Sequence, residues 1–338
     1  MKRLSLFTIV LLCLLLPTQG VADTLQQVRK RGALHCGIAS GVPGYSIADK
    51  NGNWVGFAVD LCRAISAAVF GNADKVRYMP LSAKNRFEAL LSGQIDVLTR
   101  TTTWTMQRDT VLGAKFAGVS YYDGQGFMTK ANLGLTKSVA ELDGAAICVQ
   151  GATTTERNLA DYFETRGLSY TPIPLETNEK AAKMFETGRC QAFTANISQL
   201  YGLRSRMSDP SSAVVLPEII SKEPMSPAIR QGDEQWFSIV KWSLQTMINA
   251  EEMGINSLNA DEMIANGSPA VKRLLGVGGP QGAALGLADD WTYQIIKQVG
   301  NYGELFERNL GKQSSLKIER GLNALWTQGG LMYGIPMR

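Results

Sequence analysis

One stretch of the chain concentrates groups suited to holding an anion. Thr99-Arg100-Thr101-Thr102-Thr103-Trp104-Thr105-Met106-Gln107-Arg108-Asp109 leaves an apolar run expected as a strand and enters an expected helix. Hydroxyls and free amides at such a turn are donors. The Arg108 guanidinium is a planar fork that matches a carboxylate with two parallel bonds. The competing reading makes the threonines helix caps and Arg108 the surface partner of Asp109, a pairing that contributes little. Gln150-Gly151-Ala152-Thr153-Thr154-Thr155-Glu156 repeats the grammar, with a strand end, a glycine-containing turn and hydroxyls at a helix start. A clamp closing on a carboxylate would use both turns.

Catalysis is poorly provided for. The single histidine, His35, falls inside the first expected strand, where a core or strand-edge role fits better than that of a general base. No zinc spacing, P-loop or nucleophile elbow is present, and the glycine-rich 276–282 carries Pro280 and lacks a preceding strand, so it reads as a loop and no cofactor is expected. Asp and Glu remain available as acids or bases.

The N-terminus sets the compartment. Lys2 and Arg3 precede an apolar run from Leu4 to Leu16, then the small residues Gly20-Val21-Ala22. That is the layout of a cleaved secretory signal, ending between Ala22 and Asp23. Leu11-Leu12 before Cys13 lacks the small residues of a lipoprotein site, and the run is short for a membrane span. Beyond residue 22, 32 basic residues face 30 acidic ones, so nothing points to nucleic acid. Cys36, Cys62, Cys148 and Cys190 remain there, an even count that favours disulfides in an oxidising compartment. Pairing Cys36 with Cys62 and Cys148 with Cys190 closes each bridge within one lobe. The alternative leaves Cys36 and Cys62 as small core residues.

These groups need a scaffold to position them. Residues 33–38, 76–79 and 95–99 read as strands. Val59, Cys62, Ile65 and Val69 share one helix face, and Phe87, Leu90 and Leu91 mark another amphipathic helix. The middle of the chain repeats the pattern with strands at 145–149, 170–173 and 192–195 and helices at 153–163 and 178–187. Ser138-Val139-Ala140-Glu141 has the form of a capping box. Alternating strands and helices predict parallel sheets covered on both faces, here in two lobes. Extended stretches at 125–129 and 214–227 are placed to join the lobes, so that the second is inserted in the first. The expected division is a signal over 1–22, the first lobe over 23–126 and 223–338, and the second over 127–222. A ligand site then falls between the lobes at the carboxyl ends of strands. Helices are expected at 235–250, 291–300 and 318–326.

From about Gly32 to Arg338 the chain resembles the polar-amino-acid-binding proteins of ABC importers, and within them the general L-amino-acid receptors. The resemblance rests on Cys36-Gly37 through Pro43-Gly44-Tyr45-Ser46, Gly56-Phe57-Ala58-Val59-Asp60, the arginine-threonine stretch above, Tyr121-Tyr122-Asp123-Gly124-Gln125-Gly126-Phe127, Ile220-Ser221-Lys222-Glu223-Pro224 and Val299-Gly300-Asn301-Tyr302-Gly303-Glu304. It implies a type II periplasmic binding protein fold, α/β and two-lobed, with the second lobe inserted and a two-strand hinge. It also implies a monomer in the periplasm that hands an amino-acid-like ligand to an ABC permease. By resemblance, Arg108 binds the ligand's α-carboxylate with Thr101 and Thr103 beside it, and Thr153 and Thr154 complete the clamp. Tyr45 lines or covers the ligand, and Trp104 forms a second wall. Arg86 matches a position that contacts the side-chain carboxylate in acidic-amino-acid receptors, with a solvated helix-start arginine as the alternative.

Three positions depart from the pattern. Asn196 stands where an aspartate usually pairs with the α-ammonium, Thr101 replaces an asparagine, and Ala152 replaces a glycine. The first removes a charge, which points to a ligand with a modified or missing amine. Two other classes share this fold. One is a dehydratase of aromatic amino-acid synthesis, for which Glu156 is the candidate acid. The other is a sensory receptor that presents its ligand to a membrane signalling protein.

Overall fold

A computed structural model describes residues 23–134, 138–279 and 281–337. The expected signal, with Cys13, lies outside them. In chain order the first lobe holds α1 (Thr24–Arg31), β1 (Leu34–Ala39), the hairpin β2 (Ile47–Ala48) and β3 (Trp54–Val55), α2 (Phe57–Phe70), β4 (Val76–Leu81), α3 (Arg86–Leu91), β5 (Val97–Leu98), α4 (Met106–Thr110) and β6 (Ala114–Phe116). The long β7 (Tyr121–Lys130) leads to the second lobe, with β8 (Ala145–Gln150), α5 (Thr154–Thr165), β9 (Tyr170–Leu175), α6 (Asn178–Glu186), β10 (Ala192–Asn196), α7 (Ile197–Arg204) and β11 (Ala213–Val215). The chain returns through β12 (Ser221–Met225) to β13 (Ala228–Arg230). It continues into α8 (Glu234–Glu252), α9 (Ala260–Asn266), α10 (Pro269–Leu274), α11 (Trp291–Val299) and α12 (Tyr302–Asn309).

Each lobe is built on one sheet, in the order β4-β1-β5-β13-β6 in the first and β11-β7-β10-β8-β9 in the second. β1 runs parallel to β4 and β5, but β13 comes back antiparallel to β5 and β6. β10 is parallel to β8 and antiparallel to β7. Both sheets are therefore mixed rather than parallel, because the chain must reverse when it crosses between lobes and again when it returns. The crossing consists of two strands. β7 pairs antiparallel with β12 from Tyr121↔Met225 to Gln125↔Ser221, and its far half pairs with β10 and β11.

Period-2 alternation decides what each strand buries. Along β7 and β10, Met128 and Phe193 face a cluster with Phe185 and Leu200. Their neighbours Phe127 and Ala192 face the opposite cluster with Ile147 and Phe163. Each fully buried phenylalanine contributes roughly 1.5–3 kcal/mol. In the first lobe α2 packs against α8, α11 and α12 around one large core. Gly56 opens α2 at φ 134°, where a side chain would stand 2.3 Å from the Tyr45 carbonyl oxygen. Disulfides join Cys36 to Cys62, tying β1 to α2, and Cys148 to Cys190, with Cα separations of 6.2 and 5.7 Å.

Two local expectations fail. Residues 318–326 form a strap with one 3₁₀ turn at Gly321–Asn323 instead of a helix. Lys317 and Gly321 both have positive φ, 50° and 48°, which interrupts helical geometry. The strap is fastened instead by Asn323, which accepts from the Tyr122 amide and donates to the Tyr122 carbonyl. Arg320 adds an ion pair to Glu251. The segment opened by Ser138 is a 3₁₀ turn, Val139–Leu142, whose serine accepts from the Ala140 amide.

Candidate functional site

The two lobes meet over a narrow cleft. The first contributes Arg86, Arg100, Thr101, Thr103 and Arg108. The second contributes Gln150, Thr153, Thr154, Thr155, Asn178, Asn196 and Gln199. Three guanidiniums thus line one face, only 2 %, 6 % and 8 % exposed for Arg86, Arg100 and Arg108. The facing wall is made of amides and hydroxyls, and among the described residues no carboxylate is part of the lining. Burial lowers the pKa of all three arginines, to about 10 for Arg100 and Arg108. For Arg86 the nearby charges of Arg100 and Arg108 add to burial. All stay cationic at neutral pH, and the carboxylates of Glu223, beside Arg86 and Arg108, and of Glu179, beside Arg100, offset part of their mutual repulsion.

Backbone contacts hold the arginines in place. The segment after β5 is pinned to the return strand by the Trp104 amide donating to the Pro224 carbonyl at 2.8 Å. Thr105 caps α4 by accepting from the Arg108 amide, and Arg108 Nη1 donates to the Thr103 carbonyl at 2.8 Å. Arg86 and Arg108 both lie against the Phe87 ring, with guanidinium carbons 5.1 and 5.5 Å from its centroid. Arg100 Nε donates to the Leu81 carbonyl. Arg86 Nη1 reaches Thr102, while Arg86 Nε is buried with no partner.

Asn196 lies at the carboxyl end of β10, caps α7 without a side-chain bond and is 6 % exposed. Asn178 donates to Gln199 at 2.8 Å, so these two cleft amides orient each other. The threonines divide by role. Thr153 caps α5, accepting from the Glu156 amide and donating to the Gln150 carbonyl. Thr103 and Thr154, from opposite lobes, stand 3.3 Å apart and both donate to Glu223 Oε2 on β12. Glu223 Oε1 accepts from Asn158 at 2.7 Å and Ser221 at 2.9 Å, and the residue is 1 % exposed. Glu223 thus holds both lobes at the hinge. The sequence reading missed its role, although an acid beside Pro224 in the return strand was its available signal. It also missed Arg100, Asn178 and Gln199.

Two aromatic expectations lie outside the lining. The Tyr45 ring is buried edge-on against Phe57 and Tyr121, and its hydroxyl donates to Ser198 at 2.9 Å. Trp104 stacks on Phe116 at 5.7 Å. Each packs on an apolar neighbour instead of facing the cleft. Ala152 has φ 59°, a left-handed conformation that favours glycine. Its amide is held by Glu156 Oε2 at 2.9 Å. Glu156 therefore serves the start of α5 and does not line the cleft.

Tyr45 belongs to a second link between lobes. Ser198 on α7 passes the Tyr45 hydrogen bond on to Asp123 on β7. Burial pushes the Asp123 carboxyl up to about 7, against the pull of Ser198 and the Gly124 amide. A raised carboxyl contributes stability that is complete below its unfolded value of about 4 and is lost as pH rises through 7. The urea midpoint should therefore decline between about pH 4 and 7 from this group, and Asp123→Asn should flatten that window. Parallel pH profiles for the two proteins would acquit Asp123.

Comparison with known proteins agrees with this geometry. Residues 34–255 match the family described as bacterial extracellular solute-binding proteins, family 3. The chain is 53% identical over 319 residues to the general L-amino acid-binding periplasmic protein AapJ of Rhizobium johnstonii, covering 94% of this chain and 93% of that one. It is 46% identical over 339 residues to the glutamate/glutamine/aspartate/asparagine-binding protein BztA of Rhodobacter capsulatus, covering all of both. A Brucella ovis ABC transporter periplasmic binding protein, solved with glutathione bound, superposes with a TM-score of 0.92 at 51% identity. That match covers 94% of this chain and 100% of the other. These likenesses favour ligand capture over the dehydratase alternative. The chain belongs to the bacterial extracellular solute-binding proteins, family 3, and is a binding protein, not an enzyme.

Proposed function

We propose that this chain is the exported receptor of an amino-acid ABC importer, working as a monomer in the periplasm after cleavage behind Ala22. It captures an anionic amino-acid-like ligand between its lobes and presents the closed form to the permease. Residues 127–222 form the moving lobe, and the passages at 126/127 and 222/223 lie in or beside the paired strands β7 and β12. The observation that carries the reading is the cluster of buried Arg86, Arg100 and Arg108 facing a wall of amides and hydroxyls across the cleft. In this role Arg108 grips a carboxylate, Arg86 and Arg100 draw further negative charge, and Thr101 and Thr153 rim the anion. Thr103 and Thr154 act through Glu223, bringing the lobes together.

The lobes meet so closely that the cleft has room for roughly one water molecule. A ligand therefore enters only when they part, and closure requires that it bind the closed form more tightly than the open one. Ligand-stripped protein should be screened by thermal shift against L-amino acids, short acidic peptides and amine-free carboxylates. At about 100 times Kd a ligand stabilises by about 2.7 kcal/mol, which moves the midpoint visibly. A silent response to every carboxylate would end this reading. Asn196→Asp restores a charge beside the cleft and should strengthen binding of L-glutamate about tenfold in calorimetry. An unchanged or weaker Kd would remove Asn196 from the ammonium's path.

A further inference from the structure

A recess of about 230 Å³ adjoins the main cleft at the lobe boundary. Arg108 and Thr153 line both spaces, and the outer residues Lys84, Gln107, Ala152 and Arg157 are exposed, so the recess leads from the cleft toward solvent. Among the described residues its charged lining groups are Lys84, Arg108 and Arg157, all cations. The first two belong to the first lobe. Arg157 stands on the second lobe, in the first turn of α5 after the Thr153 cap. Its Nη1 donates across the lobe boundary to Gln107 Oε1 at 2.8 Å, a neutral acceptor on α4 beside Arg108. Among the described residues no carboxylate pairs with Arg157. The adjoining Glu156 is turned back to the Ala152 amide.

Placed there, Arg157 acts in opposite directions on the empty and the filled cleft. Burial is the main cause that lowers the Arg108 pKa; Glu223 pulls it up and the Arg157 charge presses it further down. The two guanidiniums therefore oppose each other, and bringing α5 onto α4 is disfavoured by that repulsion while the cleft is empty. A ligand with net negative charge reverses the sign, because Arg157 is then drawn toward the cleft and reaches Gln107 with the repulsion offset. Resting on the reading that this cleft binds an anion, we propose that Arg157 is a charge-selective gate, a positioning residue that locks the closed lobes through Gln107 when the ligand brings net negative charge. A zwitterion of the same shape brings none, so it is held behind a weaker lock and leaves sooner. Arg157 does this without lining the main cleft. Lys84 carries the same charge but shares a lobe with Arg108, so closure does not change their separation.

The test is stopped-flow tryptophan fluorescence on the ligand-stripped mature chain with L-glutamate and L-glutamine, two probes of nearly one shape that differ by one charge. A gate on the closed form shows in the dissociation rate. In Arg157→Gln, L-glutamate should leave about fivefold faster and L-glutamine less than about twofold faster, with association rates little changed. Arg157→Lys keeps the charge and should recover most of the L-glutamate loss. Added salt should narrow the wild-type difference between the probes, since the gate is exposed and screened. Equal acceleration of both probes would overturn the gate and leave Arg157 a lobe contact only. Slower association with unchanged dissociation would also overturn it, making Arg157 a steering charge at the entrance. So would an Arg157→Gln protein whose rates for both probes match wild type. If wild type binds neither probe and no carboxylate in the thermal screen, the failure lies with the cleft reading itself, and the gate falls with it.

Discussion

Arg108→Ala is expected to lower ligand affinity by about 10²–10⁴-fold, the effect of deleting one partner of a buried charge pair, roughly 3–5 kcal/mol. The reason is geometric. Arg108 is fixed by the Thr103 carbonyl, by its position on α4 and by the Phe87 ring, so its fork is oriented before the ligand arrives and little rotamer entropy remains to be lost. A lysine at the same site keeps the charge but not the fork, and should recover only part of the loss. Calorimetry measures the change directly. The thermal midpoint of the ligand-free variant should stay close to that of wild type, because removing one of three mutually repelling cations offsets the lost packing. Affinity within threefold of wild type would take Arg108 out of the site.

Glu223→Ala is expected to damage the protein itself. Four groups, Thr103, Thr154, Asn158 and Ser221, donate to this carboxylate, and alanine leaves them in a junction that is 1 % exposed at Glu223. Buried donors without acceptors cost about 1–3 kcal/mol each when water cannot reach them. Solvent entering the parted cleft limits the total, so a loss of about 3 kcal/mol in urea unfolding is expected. Ligand affinity should weaken as well, because the first-lobe and second-lobe threonines no longer share an acceptor that favours closure. Glu223→Gln, which keeps an acceptor oxygen, should fall between the two. A loss below about 0.5 kcal/mol for the alanine variant would mean that water already serves these donors.

Much of this architecture is legible in the sequence because strand and helix patterns are local. The alternation in β10 and the helical spacing of Val59, Cys62, Ile65 and Val69 fix which faces are buried, and the expected cysteine pairs follow once the lobes are recognised. Sheet direction was not legible, because β13 reverses only after the chain has crossed back through β12. Residues 318–326 carry a helical pattern, but their apolar groups serve a strap bent at Lys317 and Gly321. Within the site, Arg108, Arg86 and Asn196 reach the cleft as expected. Tyr45 and Trp104 do not, since an aromatic residue in a turn has the same sequence appearance whether it faces a cleft or packs on Phe57 or Phe116. Glu223 and Glu179 escaped notice because their meaning depends on long-range partners. One is surrounded by donors from both lobes, and the other faces Gly41 across the lobe boundary.

The most direct test of capture by closing lobes is small-angle X-ray scattering of ligand-stripped protein, titrated with the ligand identified by thermal shift. The radius of gyration should fall on saturation in wild type and stay unchanged in Arg108→Ala at the same concentration. Saturable binding to wild type with no change in radius, or full compaction of the Arg108→Ala protein, would contradict closure around an anion held by Arg108.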